Sequence, residues 1–225
     1  MFERLISLIG KDKFSRLQKV NVLVVGLGGV GGYAFEALVR SGIINITIID
    51  GDVIEESNLN RQIITSSKLI GEAKVTAAKT RALEINPNLN ITTIDKFIDE
   101  SNFDELIMSK KFDYVIDACD DINLKFLLIK NANKYKLVSS MGTANKIDPS
   151  SFSITTLDKT SNDPIARILR RKVKDAKLHR KFKVVSSTES PIPNQKVLGT
   201  NSFIPGISGL LCASYVINDI TKNSL

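Results

Sequence analysis

Histidine and cysteine are almost absent from this 225-residue chain: His179 is the one imidazole, and Cys119 and Cys212 are the only thiols. With one histidine, neither a His-based triad nor a His-rich metal cage is expected. Two cysteines build neither a disulfide framework nor a four-thiolate zinc site. No apolar run approaches the roughly 18 residues that a membrane-spanning helix needs. The opening Met1-Phe2-Glu3-Arg4 lacks the basic-then-apolar layout of a signal peptide, so the expected location is the cytoplasm. What remains is ordinary globular material, 43% apolar and 24% charged with 13 Gly and 6 Pro, far from a disordered or collagen-like composition.

The net charge of +7 is not spread evenly. Between Arg167 and Lys183 stand nine basic residues and one acid, Asp175, so this window carries +8 and the rest of the chain −1. A local excess of this kind is what a polyanion-binding face looks like, and equally a solvated helix face.

Apolar periodicity predicts strands at 20–25, 46–49, 91–94, 114–116 and 137–140, separated by helices at 29–41, 72–85 and 123–135. Strands alternating with helices of this length imply a doubly wound, mainly parallel α/β sheet, Rossmann-like, covered on both faces. After residue 150 the pattern loosens into a mixed C-terminal extension. A strand is expected at 152–155, then a helix opened by the cap Asp163 and Pro164, with Ile165, Ile168, Leu169, Val173 and Ala176 on its apolar face. A strand at 182–185, a polar and mobile loop at 186–201 and an apolar helix at 206–220 follow. No linker divides the chain, so one domain is expected, with a nucleotide-binding core over 1–150 and the extension over 151–225.

Gly26-Leu27-Gly28-Gly29-Val30-Gly31 lies between the first strand and its helix. Glycines at Gly26, Gly28, Gly29 and Gly31 let the backbone approach a phosphate, and the helix N-terminus adds unpaired N–H groups. Asp50, ending the second strand, is placed for ribose hydroxyls. Both a nicotinamide dehydrogenase and an ATP enzyme satisfy these features. Asp52, Asn58, Arg61 and Gln62 in the next loop, Lys74 in the next helix and Asp120 beyond the fourth strand shift the balance. In a doubly wound sheet these positions converge on one crevice. Two cations and an acid there suit nucleotidyl transfer, in which cations offset the triphosphate and a carboxylate holds magnesium.

These residues resemble the ubiquitin-activating-like adenylyltransferases, through the glycine run, Asp50-Gly51-Asp52, Asn58-Leu59-Asn60-Arg61-Gln62, Lys74 and Asp117-Ala118-Cys119-Asp120. The resemblance implies ATP and Mg2+, with Asp50 on the ribose, Arg61 and Lys74 on the phosphates and Asp120 on the metal. It further implies a homodimer in which Arg4 reaches the partner's site. Within that superfamily the chain is most similar to the tRNA threonylcarbamoyladenosine dehydratases, through Lys146-Ile147-Asp148-Pro149, Asp163-Pro164-Ile165-Ala166, Ser187-Thr188-Glu189 and Ser202-Phe203-Ile204-Pro205-Gly206. That likeness implies carboxylate adenylation and cyclising loss of water on a tRNA anticodon arm, with Arg167, Arg170, Arg171, Lys174 and Lys177 on the RNA. It also implies a sulfur-relay-type protein partner. The alternative within the superfamily is activation of a sulfur-carrier or ubiquitin-like protein. Those enzymes usually hold a zinc on paired CxxC motifs, which this chain lacks, so no zinc is expected.

Overall fold

A computed structural model describes residues 1–179, 181–193 and 197–222. Its frame is one seven-stranded sheet: β1 (Asn21–Val25), β2 (Asn45–Ile49), β3 (Asn90–Ile94), β4 (Tyr114–Asp117), β5 (Lys136–Ser140), β6 (Phe152–Thr156) and β7 (Lys183–Ser187). The spatial order is β3-β2-β1-β4-β5-β7-β6. Every neighbouring pair is parallel except β6–β7, which is antiparallel at the edge. The C-terminal extension thus continues the nucleotide-binding sheet.

The helices are α1 (Glu3–Ile9), α2 (Lys11–Leu17), α3 (Gly31–Arg40), α4 (Lys74–Ile85), α5 (Ile122–Lys130), α6 (Pro164–Asp175) and α7 (Ile204–Lys222). Val22 and Val24 of β1 face one core with Ala34, Leu38 and Val216, whereas Leu23 and Val25 face a second with Leu124, Leu128 and Leu169. A strand covered on both sides has no polar face to alternate with, which is why β1 reads as an unbroken apolar run.

One stretch holds helices that the periodicity does not announce, and three local expectations shift. The first seventeen residues carry α1 and α2, with the Phe2 and Phe14 rings 5.2 Å apart. Helix α5 ends at Lys130, short of the expected 135, and Asn131 closes it. Ser186 and Ser187 complete β7 before the expected loop, and part of that loop, 194–196, lies outside the described residues. On α6 the buried stripe runs through Ala166 and Leu169, while Ile168 and Ala176 are exposed. Ile168 sits about 100° round the helix from Leu169, and contact with α5 selects Leu169.

Candidate active site

A cleft of about 650 Å³ lies at the C-terminal ends of β1, β2 and β4. Chain order reverses there, β1 standing between β2 and β4, and such a switch point is where doubly wound sheets bind ligands. Gly26 turns the chain out of β1 at φ +87°, and a Cβ on it would come within 2.8 Å of the Ala118 carbonyl oxygen. A Cβ on Gly31 would sit 1.8 Å from the Gly26 oxygen, so only glycine permits this turn. Gly28 and Gly29 line the cleft, and no side chain caps the first turn of α3. Uncapped N–H groups at a glycine turn are a fitting seat for a phosphate.

The acids and cations foreseen from the sequence do line this cleft. Asp50 accepts from the Leu27 N–H at 2.6 Å and the Asp52 N–H at 2.8 Å, so its carboxylate also fixes the glycine loop. Burial raises its pKa, against those two amide bonds. Lys74, buried at the start of α4, reaches Asp52 at 2.7 Å. Arg61 donates to the Ser57 carbonyl at 2.6 Å and to the Asn60 side chain at 3.0 Å, while its Cγ and backbone carbonyl lie beside Gly29. Asn58 is buried and closes a capping box with Glu55. Gln62 also lines the cleft, and its buried Oε1 has no partner among the described residues. Asp120 is exposed at the lip. Magnesium is commonly held by one or two carboxylates plus substrate phosphates, a demand Asp120 meets. Arg4 is exposed on α1 and does not line the cleft of its own chain.

Beneath the cleft floor lies a charged cluster that motif reading passed over. Asp117 is fully buried, paired with Lys125 at 3.1 Å and bonded to the Ser139 hydroxyl. Lys125 donates onward to the Ser140 carbonyl at 2.7 Å, and the Ser140 hydroxyl meets Ser208 of α7 at 2.7 Å. Burial, the largest influence, would lower the Lys125 pKa, but the Asp117 carboxylate together with the neighbouring thiols holds the ammonium above its ordinary value. One lysine inside the apolar run of α5 was the available signal. Cys119 lies over this pair with its Sγ 3.0 Å from Asp117. Burial, and after it the Asp117 charge, pushes its thiol well above the ordinary range. Lys96 and Phe97 after β3 and Met141 to Thr143 after β5 also form cleft wall, without any motif to announce them.

Three segments singled out in the sequence meet at one collar between the cleft and α6. Asp163 caps α6 by accepting from the Ala166 N–H at 2.9 Å, and also accepts from the Gly142 N–H at 2.9 Å. Lys146, equally buried, donates to the Gly142 carbonyl at 2.9 Å and lies 3.5 Å from Asp163. Glu189 accepts from the Ile147 and Asp148 N–H groups at 3.1 Å and 3.0 Å. Ile165, in the first turn of α6, lines the cleft. Farther along, Arg167, Arg171, Lys174 and Lys177 are exposed, as is His179. Arg170 instead donates to the Thr160 carbonyl at 2.9 Å and to its hydroxyl, tying α6 to the preceding turn. Arg180 of the basic run lies outside the described residues.

Fold and cleft together define a nucleotide-binding α/β protein with cations gathered around a glycine turn. The sequence model of the ThiF family matches residues 2–224, and the chain belongs to that family. It is 35% identical to the tRNA threonylcarbamoyladenosine dehydratase of Bacillus subtilis, over 96% of this chain and 92% of the relative. The crystal structure of Escherichia coli tRNA N6-threonylcarbamoyladenosine dehydratase in complex with ATP superposes with a TM-score of 0.93 at 33% identity, covering 98% of this chain and 93% of that one. Similarity to the molybdopterin-synthase adenylyltransferase of Haemophilus influenzae, 34% identical, reaches 61% of this chain and 56% of the relative.

Proposed function

We propose that this chain is an ATP-dependent dehydratase that cyclises threonylcarbamoyladenosine in the anticodon arm of tRNA. The observation that carries the reading is the joining of two surfaces. Arg61, Lys74 and Asp120 surround the glycine turn, and the basic helix α6 enters the same cleft through Ile165. Both the dehydratase relative and the ATP-bound structure match nearly end to end, which favours this activity over activation of a sulfur-carrier protein.

A carboxylate is a poor electrophile because its leaving group would be an oxide. In the proposed reaction an oxygen of the threonyl carboxylate attacks the α-phosphorus of the substrate ATP, and pyrophosphate leaves. An atom of the same residue's carbamoyl group then attacks the acyl carbon and AMP departs with the carboxylate oxygen, so the RNA loses one water. Ring closure is intramolecular, and effective molarity supplies much of its rate. Gly28 and Gly29 seat phosphate, Asp50 orients the loop and takes the ribose, and Arg61 and Lys74 offset charge as the pyrophosphate forms. Asp120 would hold magnesium, which when bound adds charge neutralisation at the departing pyrophosphate. Arg4 from a second copy would complete the cationic ring. No step uses sulfur, so a sulfur-relay-type partner has no chemical part in this scheme. The tRNA substrate favours the cytoplasm as the place of work.

The test is incubation with ATP, magnesium and threonylcarbamoylated tRNA, followed by nucleoside mass analysis. Loss of one water from the modified nucleoside, with AMP formed in equal amount, is expected from the wild-type chain. With Lys74→Ala turnover should fall by more than about 100-fold, the scale of losing one transition-state charge contact, while the folded state survives because Asp52 is half-exposed. An unchanged nucleoside mass with the wild type would refute the reading. Pyrophosphate exchange that needs a small protein with a glycine tail would favour the sulfur-carrier alternative.

A further inference from the structure

A second concavity, of about 480 Å³, lies at the far end of α6. Leu157, Val173, Leu178 and Phe182 form its apolar floor, and Lys174, Lys177 and Lys181 are among the basic groups on its rim, opposed by one acid, Asp158. Lys177 is there at a conformational cost. The end of α6 is a Schellman turn: the Leu178 N–H bonds to the Val173 carbonyl at 3.1 Å and the Lys177 N–H to the Lys174 carbonyl at 3.0 Å. Its left-handed position, φ +53°, belongs to Lys177. Glycine is the usual residue at such a position because a Cβ crowds the backbone. The other left-handed non-glycine residues among those described are Asn145 and Asn162, the type that tolerates this region. A lysine in their place spends stability to set a cation on the pocket rim, and strain retained in this way points to a function.

We infer that this pocket is a second tRNA subsite that takes one nucleotide, its phosphate on Lys174, Lys177 and Lys181 and its sugar and base over the apolar floor. The inference rests on the reading above that tRNA is the substrate. Ile165 lines the reaction cleft and Lys177 lines the pocket, and at the helical rise they stand about 18 Å apart along one rigid element. An RNA strand held at both ends of α6 has its register set relative to the reacting base, which a diffuse basic surface would not do.

The experiment compares the full wild-type chain with Lys177→Gly and Lys177→Asn, using purified tRNA as the probe. Lys177→Gly relieves the left-handed position and should raise Tm by roughly 2–4 °C. Its tRNA affinity should nonetheless fall, by roughly three- to tenfold at moderate salt, and the slope of log Kd against log salt should lose about one unit. Lys177→Asn keeps a residue suited to the turn and removes the charge, so it should show the same loss and exclude a loosened helix end as the cause. ATP affinity should stay unchanged in both. Wild-type tRNA affinity and salt slope in both variants would overturn the subsite while leaving the substrate reading intact. Failure of the wild-type chain itself to bind tRNA would overturn both.

Discussion

Cys119 stands at the cleft with its sulfur 3.0 Å from a buried carboxylate oxygen and with Lys125 below, an address that invites a nucleophilic reading. The physics of the site argues otherwise. A reactive cysteine needs its thiolate, and thiolates form where positive charge dominates. Here burial acts first, Asp117 second, and the opposing pull of Lys125 is already spent on Asp117, so the proton stays on sulfur. The thiol donates to the carboxylate and helps keep the turn after β4 in place. Cys119→Ala should therefore retain turnover within about threefold, since it removes one weak hydrogen bond and little volume. Labelling of Cys119 by iodoacetamide should remain slow up to about pH 9, above the ordinary thiol range. A burst of alkylation at neutral pH, or loss of activity in the alanine variant, would mark a sulfur-handling residue instead. Lys125 and Cys119 thus show two sides of one rule: a charged or nucleophilic side chain earns a chemical role from its surroundings, and these two are consumed by each other and by Asp117.

Helix α6 couples the basic surface to the cleft because its N-terminus is held by Asp163 and Lys146, both shielded from water. The pair stabilises only while it is complete. Asp163→Ala removes the cap on Ala166, the acceptor for Gly142 and the counter-charge of Lys146 together. Breaking a buried pair from one side costs about 3–5 kcal/mol, and denaturant unfolding should show a loss of that size. The double variant Asp163→Asn with Lys146→Met should recover part of it, because no lone charge is then buried. Because asparagine still caps a helix, equal loss in the single and double variants would mean that neither the cap nor the lone buried charge is its cause. These elements also show which features are legible in the sequence. Strands with two covered faces declare themselves as apolar runs, and Asp163-Pro164 marks the start of α6 because cap and proline each act within a few residues. The glycine turn, Arg61, Lys74 and Asp120 were legible for the same reason, as short motifs at fixed distances from strand ends. Lys125, the partner of Lys146 and the wall at Met141 were not: Lys125 takes its role from Asp117 at the end of β4 and Lys146 from Asp163 at the start of α6, pairings that no short motif announces. The bond of Arg170 to the Thr160 turn was not legible either, because composition does not show which arginine of a basic run is tied to the backbone.

At the scale of the molecule, one chain presents a cleft with two cations near the glycine turn, and a charge excess of +8 over residues 167–183, on α6 and the segment after it. Arg4 belongs to neither: it is exposed on α1, a short helix packed through Phe2 on Phe14 of α2. An exposed arginine on a short surface helix contributes little to folding, whereas at the cleft of a second copy it would supply a third cation to the triphosphate. The proposal that the site is completed across a homodimer makes an arithmetic prediction. Arg4→Ala and Lys74→Ala homodimers should each be nearly inactive, because every site lacks one cation. Mixed after subunit exchange, a 1:1 population should contain about half heterodimers by random pairing of equal subunits. Each heterodimer holds one site with both defects and one with neither, so the mixture should return to about a quarter of wild-type turnover. Activity that stays at the level of the separate variants, with exchange verified by native mass measurement, would mean that Arg4 acts on its own chain or not at all. Salt offers an independent check within the same mixture. Restored turnover should decline with ionic strength as steeply as that of the wild type, because α6 is intact in every subunit and tRNA capture is the charge-dominated step.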